Sequence, residues 1–440
     1  MRLIHSISLQ DKNKIALIDE TRTLTYGELP DAISEKAALL KGVSCAGLAM
    51  DNSIEWVLWD LAAVTANVVL VPIPPFFTQD QSQHALETSG CDALITSEGI
   101  MPLPYMNISL PPGTSKVTFT SGTTGTPKGV CLPQESMENV AGSIVQALGP
   151  DIAALHCSVL PLAILLENIA GVYAALLAGA TVILPGLIFY GENYSGLHDV
   201  LKSNKAASII LVPEILRSLM AQVAVRGPLP SLKFIAVGGS KICPDLIHQA
   251  RAMGLPVYEG YGLSECGSVV SLNTPQHEKI GSTGRILPHV KVDIINGEVV
   301  ILDPGFCGYI GEQAPAAFNT GDLGSLDDKG FLYITGRQKN VLITSYGRNV
   351  SPEWVESLLL KQPEIAQAFV YGDAEPHLSA LIVPFKSEAD ITRAVNAANS
   401  SLPDYARVLN YAIATPFTTH DDTLTGNGRM RREKILQQRL

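Results

Sequence analysis

A stretch of glycines, hydroxyl residues and one lysine is the part of this sequence best suited to chemistry. It spans 117–130, reads VTFTSGTTGTPKGV and has an apolar, β-like start. Glycines let the backbone bend tightly so that N–H groups approach an oxyanion, hydroxyls add donors, and a lysine supplies a compact cation. We therefore predict phosphate contacts from the following residues: Thr120, Ser121, Gly122, Thr123, Thr124 and Lys128.

The spacing of this loop differs from the two commonest phosphate-binding patterns. Neither G-x-x-x-x-G-K-[ST] nor G-x-G-x-x-G occurs in the chain. A phosphate site of another type is therefore predicted. A second candidate segment, EGYGLSE at 259–265, offers a carboxylate, which a hard cation bridging phosphate oxygens needs. It is not a G-x-S-x-G hydrolase elbow, because the next glycine, Gly267, comes one residue late.

Length and charge bound the class of protein that carries these residues. A chain of 440 residues, 46% hydrophobic and 17% charged, is long enough for two or more domains with a sizeable core. Its formal net charge of −11 argues against a nucleic-acid partner, since phosphate neutralisation requires clustered basic residues.

Cysteine and histidine usage indicates the compartment. The seven cysteines lie far apart without a C-x-x-C pair, which favours a reduced, cytosolic chain. No H-E-x-x-H spacing occurs, so no zinc site is indicated, and the first residues lack the apolar core of a signal peptide. The uncharged stretch 169–187 is about long enough to cross a bilayer, but its glycines and proline favour a buried helix followed by a buried strand.

The elements that must position the candidate residues alternate between apolar strands and helices. Runs such as VVLVPI, ATVILP and KFIAVGG alternate with helical patterns such as SIEWVLWDLAAVTA, which predicts an α/β fold with mainly parallel sheets. From about residue 280, short alternating strands predict a small antiparallel, barrel-like subdomain. From 341 onward an α+β pattern begins. We predict an N-terminal domain over 1–336, a small mobile C-terminal domain over 337–440, and a hinge near 336–340.

The loop T-S-G-T-T-G-x-P-K-G resembles the signature of the adenylate-forming (AMP-binding) superfamily, and the chain is closest in look to its acyl-CoA synthetases. EGYGLSE is similar to that family's aromatic-G-x-[ST]-E motif. The resemblance implies that Tyr261 packs on adenine, Ser264 donates to the α-phosphate and Glu265 holds magnesium. It implies further nucleotide contacts from Glu259, Gly260, Gly262 and the turn Gly238, Gly239 and Ser240.

Further blocks at the family's order extend the resemblance along nearly the whole chain. Thr320-Gly321-Asp322 and Gly336-Arg337 resemble its T-G-D and G-R blocks. The implied roles are acceptance of both ribose hydroxyls by Asp322 and a forked contact from Arg337 to sugar or phosphate. Lys339 falls on the family's hinge position, about which the C-terminal domain turns between two half-reactions.

Two positions depart from the family pattern. Its T-x-x-G-K-x-x-R ending carries a lysine that bridges carboxylate and α-phosphate, and here Arg429 stands at that place. Arginine keeps the charge but has a planar, bulkier head. Three outcomes are open: Arg429 forms this bridge, Lys434 reaches the site and forms it instead, or the adenylating half-reaction is weak. In the L-P-L-x-H segment Ile164 replaces the histidine, which hints at an apolar acid.

The resemblance implies ATP-dependent activation of a small carboxylic acid, fatty or otherwise apolar, to an acyl-adenylate with release of pyrophosphate. Transfer to a thiol comes next, with coenzyme A as the first choice of acceptor. Lys128, Ser264, Glu265 and Arg429 are the predicted catalytic residues, and ATP, Mg²⁺ and coenzyme A are the implied cofactors. Two alternatives stay open: a ligase that loads an acyl carrier protein, and a nucleotide-binding pseudo-ligase. We expect a cytoplasmic protein without a membrane span.

Overall fold

The computed structural model describes residues 2–105, 108–120, 127–149, 154–186, 194–425 and 428–440. The strands are β1 (Ile15–Asp19), β2 (Thr23–Thr25), β3 (Cys45–Leu48), β4 (Val69–Pro72), β5 (Ala93–Thr96), β6 (Gly99–Pro102), β7 (Lys116–Thr120), β8 (Lys128–Leu132), β9 (Leu155–Cys157), β10 (Thr181–Leu184), β11 (Ser208–Leu211), β12 (Phe234–Val237), β13 (Val257–Leu263), β14 (Ser268–Leu272), β15 (Arg285–Ile286), β16 (Lys291–Ile295), β17 (Glu298–Leu302), β18 (Gly308–Tyr309), β19 (Ala317–Leu326), β20 (Leu332–Arg337), β21 (Leu342–Ile343), β22 (Asn349–Val350), β23 (Ile365–Tyr371), β24 (Leu378–Pro384) and β25 (Val408–Ile413).

Helices cover the faces of these sheets. The α-helices are α1 (Arg2–Ser8), α2 (Leu29–Leu39), α3 (Ile54–Ala66), α4 (Gln79–Thr88), α5 (Gln134–Leu148), α6 (Ala174–Leu177), α7 (Leu197–Ser203), α8 (Pro213–Arg226), α9 (Pro244–Ala252), α10 (Pro352–Leu359), α11 (Ile391–Asn399) and α12 (Arg432–Arg439). A π-helical segment, Leu166–Tyr173, leads into α6, and 3₁₀ turns span Ser264–Cys266, Gln338–Asn340 and Asp404–Ala406.

Two large sheets with parallel centres form the bulk of the described chain. The first has the order β15-β14-β13-β12-β11-β9-β10-β1-β2 and is parallel from β13 to β1. The second has the order β18-β8-β7-β4-β3-β5-β6 and is parallel from β7 to β5. Most residues of their central strands are apolar and buried because both faces are covered, as the sequence predicts. One apolar core contains residues of both sheets.

The uncharged stretch 169–187 lies inside the protein over its described part. It supplies residues 169–173 of the π-helical segment, α6 and β10, and every residue of β10 is buried. The predicted buried helix followed by a buried strand is thereby confirmed up to residue 186. No helix of the described residues is both long and apolar enough to span a membrane.

Three smaller sheets complete the described chain, and the smallest is the antiparallel pair of β21 and β22. The strands β16, β17, β19 and β20 form an antiparallel sheet, as predicted, which is open with β16 and β20 at its edges. Beyond it, β23, β24 and β25 form a three-stranded sheet that shares an apolar core with α10 and α11. The predicted fold class is confirmed: mixed α/β, with a large N-terminal sheet region and a smaller C-terminal one.

A buried ion pair connects three elements of the large region. Lys116 Nζ, at the start of β7, lies 2.7 Å from Asp60 Oδ1 of α3 and donates to Asn168 Oδ1 at 2.5 Å. Asn168 Nδ2 donates in turn to Asp60 Oδ2 at 2.8 Å, and the ammonium lies over the Tyr173 ring. All three polar side chains are buried. Burial lowers the pKa of Lys116, and the Asp60 carboxylate opposes that shift.

We expect Lys116→Met to lower the free energy of unfolding by about 3–5 kcal/mol, because it leaves the buried carboxylate of Asp60 without its partner. Urea denaturation followed by circular dichroism measures the loss. The double variant Lys116→Met/Asp60→Asn should recover part of it. Lys279→Met, which removes an ion pair at the surface with Asp327, serves as the control and should change much less. Equal losses in Lys116→Met and in this control would contradict the prediction.

Candidate active site

A cavity of about 480 Å³ lies where the two large sheets meet, and it gathers most of the predicted site residues. The predicted residues that line it are Thr120, Lys128, Gly238, Gly239, Gly260, Tyr261, Gly262, Ser264, Glu265, Arg337, Lys339 and Arg429. Asp322 does not line the cavity, but it accepts hydrogen bonds from Tyr261 and Arg337, which do. Ser240 is exposed, and Glu259 is buried outside the lining. Residues 121–126 lie outside the described residues, so the placement of Ser121, Gly122, Thr123 and Thr124 stays a prediction.

The two ends of the phosphate loop stand side by side. β7 and β8 form an antiparallel pair in which Thr120 is the partner of Lys128. The pairing therefore places the Thr120 hydroxyl and the Lys128 ammonium on adjacent strand ends. Lys128 Nζ lies 5.3 Å from the centre of the Tyr309 ring, within the range of a cation–π contact.

Tyr309 is a site residue that sequence reasoning missed. Its hydroxyl donates to Glu265 Oε1 at 2.8 Å, while its ring faces Lys128. Burial and the neighbouring carboxylate raise the pKa of Tyr309, so the phenol keeps its proton. Tyr309 reaches the cavity because β18 pairs with β8, with Tyr309 opposite Val130. No local motif predicts this position of Tyr309, because the pairing joins segments that are far apart in the chain.

Asp322 fixes the aromatic side of the cavity. Its Oδ2 accepts from the Tyr261 hydroxyl at 2.7 Å and its Oδ1 accepts from Arg337 Nε at 2.7 Å. Burial and the adjacent carboxylate raise the pKa of Tyr261. Burial would lower the pKa of Arg337, but the Asp322 carboxylate reverses this and the pKa is raised overall. The antiparallel pairing of β19 with β20 places Asp322 opposite Arg337, which explains the contact.

The C-terminal basic run divides between structural pairs and the cavity. Arg432 pairs with Glu356 at 2.6 Å, and Arg431 pairs with Asp422 at 2.8 Å while it also lines the cavity. Arg429, by contrast, reaches across to the first large sheet and donates from Nε to the carbonyl of Gly239. Lys434 lies on α12 and is absent from the described residues that line the cavity. Of the alternatives open from the sequence, this geometry favours Arg429 over Lys434.

Glu259 is buried beside the cavity, whereas the residues that follow it in the motif line the cavity. Its side chain is buried, and burial raises its pKa to about 8, against the opposing effect of the Lys241 ammonium. Lys241 Nζ donates to the carbonyl of Thr335 at 3.2 Å. The backbone carbonyl of Glu259 accepts from Asn273, which connects β13 to the residue that follows β14.

The remainder of the cavity is mostly apolar. Side chains of α5, α6, β12, the π-helical segment and the bend before it contribute to this part, and these apolar residues include Ile144, Leu148, Ile164, Ala170, Ala174, Phe234 and Ala236. Ile164 lines this part, as the sequence suggested for the acid. The cavity therefore joins a polar, cationic end to an apolar end.

The metal-binding capacity of the site depends on one carboxylate. Within the described residues, no group of three or more His, Cys, Asp and Glu side chains is arranged to hold a metal ion. Glu265 is the one carboxylate among the described lining residues. A single carboxylate completed by phosphate oxygens and water suits Mg²⁺, so the residues fit that ion in the presence of a nucleotide.

Thiol chemistry provides no second reactive centre here. All seven cysteines are free, and six of them are buried. The Sγ atoms of Cys45 and Cys91 lie 3.6 Å apart in the core. Burial raises the pKa of Cys157 and Cys266, which disfavours reactive thiolates at those positions.

Known proteins resemble this chain over most of its length. A 2-succinylbenzoate–CoA ligase of Bacillus velezensis is 29% identical over 419 residues, covering 82% of this chain and 83% of that enzyme. A mitochondrial medium-chain acyl-CoA ligase of Mus musculus, ACSF2, is 24% identical over 462 residues, covering 82% and 74%.

A solved structure shares the fold. The O-succinylbenzoate coenzyme A synthetase of Bacillus subtilis, in complex with ATP and magnesium ion, superposes with a TM-score of 0.79 at 24% identity and covers 98% of each chain. The AMP-binding enzyme model matches residues 7–116 and 111–311, and the model of the AMP-binding enzyme C-terminal domain matches residues 339–438. The chain thus belongs to the AMP-binding enzyme family, as an adenylate-forming, acyl-CoA synthetase-like enzyme.

Proposed function

We propose that this protein is an acid–CoA ligase that activates an apolar carboxylic acid through an acyl-adenylate. The observation that carries the proposal is the shape of its cavity, which joins the cationic and hydroxyl groups of Lys128, Arg429 and Thr120 to an apolar chamber. In a carboxylic acid with an apolar body, the carboxylate matches the cationic end of the cavity and the body matches the apolar end. Membership of the AMP-binding family and the CoA ligases among its relatives support it.

In the first step the substrate carboxylate attacks the α-phosphorus of ATP. A bond forms between carboxylate oxygen and phosphorus, the bond to the bridging oxygen breaks, and pyrophosphate leaves with the electron pair. Negative charge spreads over the phosphate oxygens during this displacement. Positive charge from Lys128 and Arg429, with the hydroxyl of Ser264 as donor, stabilises it most because these groups are already in place.

Glu265 is the side chain that would hold Mg²⁺ against the phosphates, and the ion would supply further charge neutralisation there. Tyr309 donates to Glu265 and keeps that carboxylate oriented toward the cavity. Tyr261 provides the flat surface for the purine, and its hydroxyl is fixed by Asp322. Asp322 has further lone pairs with which to accept from the ribose hydroxyls.

In the second step a thiol attacks the acyl carbon, AMP leaves, and a thioester forms. Coenzyme A is the proposed acceptor. Lys339, in the 3₁₀ turn directly after β20, is the proposed hinge residue, because a change of backbone angles there would move the C-terminal sheet and withdraw Arg429.

Arg429→Ala should lower the rate of acid-dependent exchange of pyrophosphate into ATP by roughly 10²–10³-fold, because it removes a preorganised charge from the phosphate end of the cavity. Arg429→Lys retains a cation and should keep more activity than the alanine variant. The matched control is Lys434→Ala, which removes a charge outside the cavity and should exchange at the normal rate. A drop in Lys434→Ala alone would transfer the bridging role to Lys434.

The same assay tests the pseudo-ligase alternative. The wild-type protein is given a broad panel of carboxylic acids, with and without coenzyme A, and ATP binding is followed in parallel by calorimetry. Exchange with at least one acid supports the ligase. ATP binding without exchange across the panel would favour a nucleotide-binding pseudo-ligase.

Asp322→Asn should weaken AMP binding at least about tenfold, since an amide nitrogen in place of one oxygen loses an acceptor for either Tyr261 or Arg337. Isothermal titration calorimetry with AMP measures the change. Asp328→Asn, an exposed position in the neighbouring turn, is the matched control and should bind normally. Unchanged affinity in Asp322→Asn would mean that Asp322 serves the fold and not the nucleotide.

A further inference from the structure

A hydrogen-bonded chain of three buried side chains lies at the apolar end of the cavity. His156 Nε2 lies 2.8 Å from Glu167 Oε1, and His156 Nδ1 lies 3.0 Å from Ser208 Oγ. Glu167 Oε2 also accepts from the backbone N–H of Leu160 at 3.3 Å. The three side chains are buried, and His156 and Ser208 both line the cavity.

The strand register places this triad far from the nucleotide end. His156 is the partner of Ser208 in the parallel pair β9–β11, and Ser208 is the partner of Phe234 in β11–β12. Gly238, at the nucleotide turn, follows Phe234 by four residues, so the two levels are roughly 13 Å apart at a strand rise of about 3.3 Å per residue. An acid bound by its carboxylate near Gly238 would direct its far end toward Ser208.

The polarity of the triad contrasts with its surroundings. The described lining near it is apolar and includes Ala170, Ala174 and Phe234. A buried carboxylate and imidazole are costly, and apolar residues of similar volume often stabilise a fold equally well or better. The backbone also makes room for the pair: a Cβ on Gly171 would lie 2.4 Å from Glu167 Oε1 and 2.7 Å from His156 Nε2.

Ser208 has hydrogen-bonding capacity that His156 does not use. A hydroxyl offers one donor and two acceptor sites, and the His156 contact occupies one of them. If the Nε2 proton donates to Glu167, Nδ1 accepts the Ser208 proton and leaves lone pairs on Oγ. If the ring carries both protons, Nδ1 donates and the hydroxyl proton is left. In either arrangement Ser208 Oγ can form a hydrogen bond with an oxygen-containing group of a ligand in the cavity.

We infer that Ser208 selects acids that carry a hydroxyl or carbonyl oxygen on the part of the molecule remote from the carboxylate. His156 and Glu167 are positioning residues that orient the Ser208 hydroxyl. The inference rests on the proposed ligase function and refines its substrate class from a plain apolar acid to an apolar acid with one distal oxygen. Without a ligand oxygen in the apolar part of the cavity, the remaining hydrogen-bonding sites of the Ser208 hydroxyl would have no partner.

The test compares matched pairs of acids by kcat/KM, read as pyrophosphate release with ATP, Mg²⁺ and coenzyme A. Each pair has one member with a hydroxyl or keto oxygen roughly 10–15 Å from the carboxyl carbon and one with a methyl or methylene there, the range that the strand rise sets. Wild-type protein should prefer the oxygenated member at least about tenfold, because a site built to hydrogen-bond an oxygen rejects the analogue that lacks it. Hydroxy and keto acids form separate arms.

Ser208→Ala should reduce this preference to within about twofold, and Ser208→Thr, which keeps a hydroxyl, should retain most of it. Ser203→Ala is the matched control: Ser203 is exposed on α7 and bonds the carbonyl of Val200. It should show the wild-type ratio. Glu167→Gln should raise KM for the oxygenated acid while KM for ATP and for the hydrocarbon acid stay as they were, a split that a general loss of structure would not produce.

The outcomes separate this inference from the proposed function. Pyrophosphate release from no acid at all would overturn the ligase assignment itself. Release with hydrocarbon acids, together with the same preference in wild type and Ser208→Ala, would overturn the inference alone and assign the triad to the fold. Because Ser208→Ala removes one small hydroxyl, it keeps the test valid even if Glu167→Gln fails to fold.

Discussion

The buried contact of Lys116 with Asp60 and Asn168 sets the geometry on which both ends of the cavity depend. Lys116 begins the strand that leads to Thr120 and the phosphate loop, and Asn168 lies in the π-helical segment beside Glu167. An ammonium held by two oxygens away from water cannot shift without losing both contacts. The strand that leads to the phosphate end and the helical segment that carries Glu167 are therefore joined by this one buried contact.

The sequence was sufficient to predict the fold class, because the apolar runs are the strands and their order is that of a covered parallel sheet. The antiparallel character of β16–β20 was predictable from its alternation, whereas its open edges depend on which strands pair at a distance. Lys116 could not be foreseen as a core residue. A lysine is normally a solvated side chain, and its burial depends on a carboxylate and an amide supplied by other elements.

Motif residues of the candidate site were predictable because each motif is local. The structure brings Lys128, Tyr261, Glu265, Arg337 and Arg429 to one cavity. Tyr309 and the triad of His156, Glu167 and Ser208 carried no local signal. These residues come into contact only through strand pairing and through the π-helical segment. Because these contacts join distant parts of the chain, they cannot be recognised from the sequence.

The π-helical segment makes two separate buried contacts through adjacent residues. Glu167 and Asn168 are neighbours in the chain, yet Glu167 bonds His156 of the cavity wall and Asn168 contacts the buried ion pair at the start of β7. Deleting one residue upstream in this wide turn would rotate the downstream part of the helix by about 100°, the angle per residue of an α-helix. Both partners would be displaced at once. Exchanging a single side chain in the cavity wall would thus disturb fewer contacts than changing the length of this helix.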